Sequence, residues 1–387
     1  MCQKDEEWTI HFLNKSLLIR AKWALSASIP PISDAGILIK NGIIAEVGTF
    51  RELKKYNTYP TKDLGECILL PALVNPHLHL ELSALKGKLP QGEGFVAWVR
   101  EMLALRPQLK ERDMQFSAEK EAEKLKAQGV FALGDISNTL ITKEIFEKKG
   151  FMGWLFKEIL SPELPSEFLP EFVLPSAHSP YTTPANVIKK IKAICNRKKG
   201  IFTIHCAESK EEVEFLKYGT GELARLLEER GKLKELTSPG RHPVEYLYEL
   251  GVLDEKTLLV HCVYIGKREI ELIKRAGAWV CLCPRSNVYI GVGRAPAEKL
   301  FKAGVKLCLG TDSLASNYDL SPLKELAYFL ETNSWCSPLK ALPFITLNAA
   351  QGLRLKNLGD IAKGFRACFV RLSPDNSFYF LFDKELK

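Results

Sequence analysis

Five of the seven histidines in this chain fall where a short apolar run ends. In Leu70-Pro-Ala-Leu-Val-Asn-Pro-His-Leu-His-Leu-Glu81, His77 and His79 are two residues apart, so in extended chain both imidazoles project to the same side and can share one cation. His205 opens the run His205-Cys206-Ala207-Glu208, with a carboxylate three residues on, and His261 closes Leu259-Val260-His261. His178 follows Ser176-Ala177, and Asp312 follows Leu309-Gly310-Thr311. A lone histidine in an apolar run is more often a satisfied core residue than a ligand, Asp312 alone reads as a turn or cap, and Glu208 alone as a surface charge. That bland reading has to hold many times over here, with His11 and His242 the only histidines placed elsewhere.

The elements that position these groups are legible as alternating patterns. Apolar runs of strand length are predicted at 68–75, 130–136, 151–159, 172–177, 201–205, 257–261, 279–283 and 305–310, separated by amphipathic helical stretches. The stretch 117–127, for instance, puts Ala118, Ala122 and Leu125 on one face amid Glu and Lys. Eight strand-helix repeats predict an α/β fold of the (β/α)8 barrel type, which places its catalytic groups at the C-terminal strand ends. From Phe12 to about Leu69 the pattern is β-like: 17–21, then 36–40, an Asn41-Gly42 turn and 43–47. Ala367 to Leu372 reads as a strand returning to that piece. The expected division is a small β-sandwich domain from both termini, 1–67 and 354–387, around a barrel domain, 68–353.

Composition narrows the class. The chain has 387 residues, a 46% hydrophobic share and a net charge of +8. No run approaches the roughly 18 apolar residues needed to span a bilayer, so no membrane partner is expected. The opening Met1-Cys-Gln-Lys-Asp-Glu-Glu-Trp8 has no secretory pattern, and a cytoplasmic location is expected. The positive charge is spread over Lys-rich helix faces such as 189–199 without aromatic stacking platforms, which argues against nucleic acid. Among ten cysteines, Cys206, Cys262, Cys281, Cys283 and Cys308 sit inside apolar runs and read as reduced core residues. No Cys-x-x-Cys pair occurs, and 291–296 lacks the third glycine of a dinucleotide loop.

Taken together, the motifs resemble the amidohydrolase superfamily, with its His-x-His after strand one, His after strands five and six, and Asp after strand eight. The resemblance spans about Ile37 to Leu372. It implies that His77, His79, His205 and Asp312 bind one divalent cation, zinc or ferrous iron, since strand four lacks the lysine that bridges two metals in other members. It further implies that Glu208, His261 and Asp312 are catalytic: the cation makes water acidic enough to attack an sp² carbon, His261 and Asp312 deprotonate that water, and Glu208 protonates a ring nitrogen.

The runs 71–83, 176–182, 283–287 and 310–317 are similar to the cyclic amidine and adenosine-derivative deaminases, and most of all to the deaminases of aminodeoxyfutalosine, a menaquinone precursor. The implied reaction replaces the 6-amino group of a purine nucleoside by oxygen and releases ammonia. Implied substrate contacts are Glu81, Trp98, His178, Arg285 and Ser316, although Trp98 also suits a core position and Arg285 a loop brace. Deaminases of methylthioadenosine, adenosylhomocysteine or guanine, and triazine chlorohydrolases, share the pattern. A non-catalytic barrel assembly protein would be expected to have lost ligands. A homodimer stays open. The ending Lys363-Gly-Phe-Arg-Ala-Cys-Phe369 departs from the family's Gly-Lys-x-Ala-Asp.

Overall fold

The computed structural model describes residues 9–11, 16–160, 162, 169–232 and 238–386; the polar opening and residues 12–15 of the expected β start lie outside them. Six strands come first: β1 (Thr9–His11), β2 (Leu17–Ala24), β3 (Ile32–Lys40), β4 (Ile43–Thr49), β5 (Thr61–Asp63) and β6 (Ile68–Pro71). Eight then alternate with helices: β7 (Leu73–His79), β8 (Val130–Ser137), β9 (Met152–Ile159), β10 (Val173–Ala177), β11 (Phe202–Cys206), β12 (Thr257–His261), β13 (Trp279–Leu282) and β14 (Lys306–Leu309). The short β15 (Asp312–Ser313) and then β16 (Cys368–Leu372) complete the set.

Strands β7 to β14 are parallel and form two arcs, β10-β9-β8-β7-β15 and β11-β12-β13-β14. Single backbone hydrogen bonds bridge the arcs: His205 N to His178 O at 2.9 Å, and Thr311 N to His77 O at 3.1 Å. Most are buried along nearly their whole length and read as near-continuous apolar runs, whereas β9 is buried only at Leu155, Phe156 and Glu158 and half-buried elsewhere. Helices cover them with one apolar stripe each; in Glu111–Ala127 it comprises Met114, Ala118, Ala122 and Leu125.

One expected strand is corrected. The run 68–75 is two strands: Ile68–Pro71 pairs antiparallel with β16, and after Ala72 the ligand-bearing β7 begins. Both pieces are apolar, so hydrophobicity alone does not mark the change of sheet.

The terminal strands form a seven-stranded sheet in the order β1-β16-β6-β2-β3-β4, with β5 beside β2. Alternation sets its two faces: Leu17, Ile19 and Ala21 join one apolar cluster with Ile37, Ile39 and Phe369, while Leu18, Leu38 and Leu53 form another on the opposite face. Among the described residues these strands are linked by hydrogen bonds into one sheet, and Ile43, at the start of β4, bridges back to Arg366 just before β16. The segment after β16 ends in a helix, Tyr379–Leu386, whose Tyr379 and Phe382 join the main core. Among the described residues, no helix is long and apolar enough to cross a membrane.

Candidate active site

The C-terminal ends of β7, β11 and β12 and the segment after β14 meet at one point. His77 Nε2 lies 3.3 Å from His205 Nε2, His79 Nε2 3.3 Å from Asp312 Oδ1, and His77 Nε2 3.7 Å from the same oxygen. The ligand atoms of His77, His205 and His261, and those of His77, His79 and Asp312, each lie within 4.8 Å of one another, and all five residues are buried.

Their approach requires unusual backbone. Ala207, His261, Cys262 and Asp312 are all left-handed, with φ of +52°, +72°, +50° and +58°. Non-glycine residues hold such angles only where surrounding structure over-determines them, a pattern concentrated at functional sites. Gly310 lets the chain after β14 pass against the ligand strand; a Cβ there would meet Cys281 Sγ at 2.7 Å and His77 O at 2.9 Å. Asn75 fastens the same crossing by donating from Nδ2 to Thr311 Oγ1 at 2.7 Å.

Whether these donors suit a divalent cation turns on where the lone pairs point. His205 Nδ1 faces the His178 carbonyl at 2.7 Å, so it must carry the proton, and Nε2 presents a lone pair toward His77. His261 Nδ1 faces Asn287 Oδ1 at 2.8 Å, which frees its Nε2 in the same way. Burial holds the imidazoles neutral: it lowers His77, His205 and His261, and brings His79 to about 3. The His205 and His261 lone pairs and the Asp312 carboxylate converge around His77, an arrangement that a cation between them stabilises. The donor set therefore fits one divalent metal ion.

Supporting contacts fix each donor. Asp312 Oδ2 accepts from the hydroxyls of Ser286 at 2.6 Å and Ser316 at 2.7 Å. Asp135 holds the turn after His79, accepting from Leu80 N at 2.9 Å and from Thr142 Oγ1 at 2.6 Å. Glu212 caps the bend beyond β11, its carboxyl accepting from Ala207 N at 2.9 Å and Glu208 N at 2.8 Å. This leaves Glu208 buried with Oε1 3.5 Å from His261 Nε2. Burial, and then the charge of Asp312, push the Glu208 carboxyl well above its usual range, which favours its protonated form.

The expected substrate contacts divide. His178 borders the cluster: its ring is 5.1 Å from that of His205, and its Nδ1 pairs with Thr182 Oγ1 at 2.8 Å. Glu81 is wholly buried, and its carboxylate takes five hydrogen bonds, from Arg106, Ser137, Asn138 N, and Thr139 N and Oγ1. Arg285 is bidentate to Asp319 at 3.0 and 3.1 Å and lies 3.7 Å from Glu325, bracing its loop. Trp98 donates to Ala315 O at 3.0 Å and packs among apolar neighbours, and Ser316 serves Asp312.

Sequence reasoning missed Ser286, Asn287, Glu212 and Glu158. The first two sit in the quoted run 283–287 with no role assigned, and Glu212 had the signal of a carboxylate one helical turn beyond Glu208. Glu158, at the end of β9, lies with Oε1 3.8 Å from His205 Nδ1; burial raises it to about 8.

The family model described as "Amidohydrolase family" matches residues 68–385. The chain belongs to the amidohydrolase family. It is a hydrolase acting on carbon–nitrogen bonds. Among its relatives is a 5'-deoxyadenosine deaminase of Methanopyrus kandleri, 27% identical over 386 residues that cover 89% of this chain and 84% of the relative. A 5-methylthioadenosine/S-adenosylhomocysteine deaminase of Pyrococcus furiosus is 28% identical over 366 residues, covering 86% and 82%. Among solved structures, the Helicobacter pylori aminofutalosine deaminase in complex with methylthio-coformycin superposes with a TM-score of 0.84 over 96% of this chain and 95% of that one. At 23% identity that likeness is one of fold.

Proposed function

We propose that this amidohydrolase is a purine nucleoside deaminase that replaces the 6-amino group of an adenosine derivative by oxygen, with aminodeoxyfutalosine as its substrate. The two arcs of strands are read as one eight-stranded barrel and the terminal sheet as its small accessory domain, in a cytoplasmic enzyme. The observation that carries the chemistry is the buried Glu208 carboxyl set 3.5 Å from His261 beside the four-donor cluster.

His77, His79, His205 and Asp312 would hold zinc or ferrous iron. When bound, such a cation supplies Lewis acidity and brings water within reach of deprotonation near neutral pH. His261, fixed by Asn287, orients the water. As its oxygen bonds to the amino-bearing ring carbon, Asp312 and His261 take up its proton and Glu208 gives its own to the adjacent ring nitrogen. The proton taken up by Asp312 and His261 then passes to the amino group, the C–N bond breaks, and as the ring carbonyl forms the hydroxyl proton returns to Glu208 and ammonia leaves. His178 borders the space where the nucleoside would lie.

Two relatives support a second reading, deamination of 5'-deoxyadenosine, methylthioadenosine or adenosylhomocysteine. An ammonia-release panel on the zinc- and iron-loaded enzyme separates the two. The first reading expects the highest kcat/KM on aminodeoxyfutalosine; a higher value on adenosine, guanine or any of those three compounds overturns it. Chloride released from a triazine without ammonia from any nucleoside would overturn both. Chelation should abolish turnover, and reloading should restore it at about one ion per chain.

A further inference from the structure

The helix Pro284–Ile290 carries two residues that fix the centre: Ser286, which serves Asp312, and Asn287, whose Oδ1 faces His261 at 2.8 Å. Among the described residues the Asn287 amide makes no second hydrogen bond, its buried Nδ2 having no partner. The place of Oδ1 therefore follows the Asn287 backbone. That backbone is held where the helix ends: Asn287 O accepts from Gly291 N at 3.1 Å and from Val292 N at 3.0 Å, with Gly291 closing the helix at φ +92°.

This closing turn is laced to the segment that follows His79. Gly92 N donates to Tyr289 O at 2.7 Å, Gly94 N to Ile290 O at 3.0 Å, and the Tyr289 hydroxyl to Leu89 O at 3.4 Å. The two chains touch backbone to backbone, because a Cβ on Gly291 would meet Gly92 O at 2.9 Å and Gly92 Cα at 3.2 Å. Both the approach and the left-handed angle call for glycine at 291. At Gly92, in the exposed stretch 91–93, a Cβ would meet nothing within 4 Å, and only its φ of +77° favours glycine.

We propose that Gly291 is a positioning residue for His261. With Gly92 it seats residues 89–94 as a strap on the end of the helix, and that seat, carried through Asn287, holds the His261 imidazole in its working orientation. Every step of the path is a printed contact or a covalent neighbour: Gly92 N to Tyr289 O, Gly291 N to Asn287 O, and Asn287 Oδ1 to His261 Nδ1. An exposed loop thereby sets the geometry of a buried ring.

The test reads the imidazole itself. In the full chain, loaded with zinc and carrying nitrogen-15 histidine, NMR follows solvent exchange of two ring protons: His205 Nδ1–H, held by His178 O at 2.7 Å, and His261 Nδ1–H, held by Asn287 Oδ1 at 2.8 Å. The His261 signal is the one lost in Asn287→Ala. Gly291→Ala should speed exchange of the His261 proton about tenfold or more and leave that of His205 within about twofold. Equal acceleration of both protons is general loosening and overturns the proposal, as does acceleration of neither. Gly92→Ala, with open space for its Cβ, confines the strain to the strap and decides the matter if Gly291→Ala does not fold. It should speed the His261 proton alone, by about threefold or more, and any other pattern overturns the proposal. No turnover is needed for these measurements, so they stand apart from the proposed reaction. The kinetic arm rests on that reaction: Gly291→Ala should lower kcat about tenfold with KM within about threefold, and cost less than about twofold once Asn287 is already Ala. An equal loss of kcat in both backgrounds overturns the path through Asn287.

Discussion

Replacing Glu81 by Gln separates a structural hub from a substrate contact. Both carboxylate oxygens face only donors: Arg106 and Asn138 N on one, and Ser137 with Thr139 N and Oγ1 on the other. A Gln amide turns its NH2 toward one of these sets. Hydroxyls and the guanidinium can re-aim, but the backbone N–H of Asn138 or of Thr139 is left without its acceptor, at about 1–3 kcal/mol. The charge-assisted bond to Arg106 also becomes an ordinary one, at about 1 kcal/mol. The expected loss is therefore about 2–4 kcal/mol. With an unfolding entropy near 2.1 cal/mol/K per residue, a chain of this length should melt about 3–5 °C lower. The assay is a thermal melt alongside steady-state kinetics, with KM expected to stay within about threefold. An unchanged melting temperature with KM raised tenfold or more would refute the reasoning and make Glu81 a substrate ligand.

Four further outcomes follow from the site and its supporting contacts. Ser286→Ala removes a hydroxyl from Asp312 Oδ2, and metal retention in chelator competition should weaken by about 10–100-fold; retention equal to that of the unmodified enzyme would remove Ser286 from the centre. Glu208→Gln should cost about 10²–10⁴ in kcat with metal content unchanged. In the unmodified enzyme, because the proton on Glu208 is present below its raised pKa and lost above it, kcat should fall on the alkaline side; a fall only toward acid contradicts the acid role. Arg285→Ala leaves Asp319 and Glu325 without their guanidinium and should cost about 3 kcal/mol by urea unfolding with KM unchanged; a changed KM at full stability would restore it as a substrate contact.

The parallel strands were legible because most are buried on both faces and read as apolar runs, and the histidines stood out against that background. Their partners were harder to see. Ser286 and Asn287 are ordinary polar residues until tertiary structure sets them against Asp312 and His261. Arg285 and Glu81 looked available because charge is written in the sequence, whereas the counter-charge that occupies it comes from residues such as Asp319 and Arg106, far from them along the chain. The passage from β6 to β7 was hidden for a different reason: Ile68 and Leu73 are equally buried, and the sheet they join is decided by pairing with the C-terminal β16.

That last pairing ties the ligand strand to segments far apart along the chain. His77 and His79 ride on a strand continuous through Ala72 with Ile68–Pro71, which is held between Trp23–Ala24 on one side and Cys368–Leu372 on the other. Contacts of such long sequence separation close slowly, because loop entropy is spent before they form. The docking of β16 therefore clamps, at its opposite end, the strand whose C-terminal end carries the two histidines.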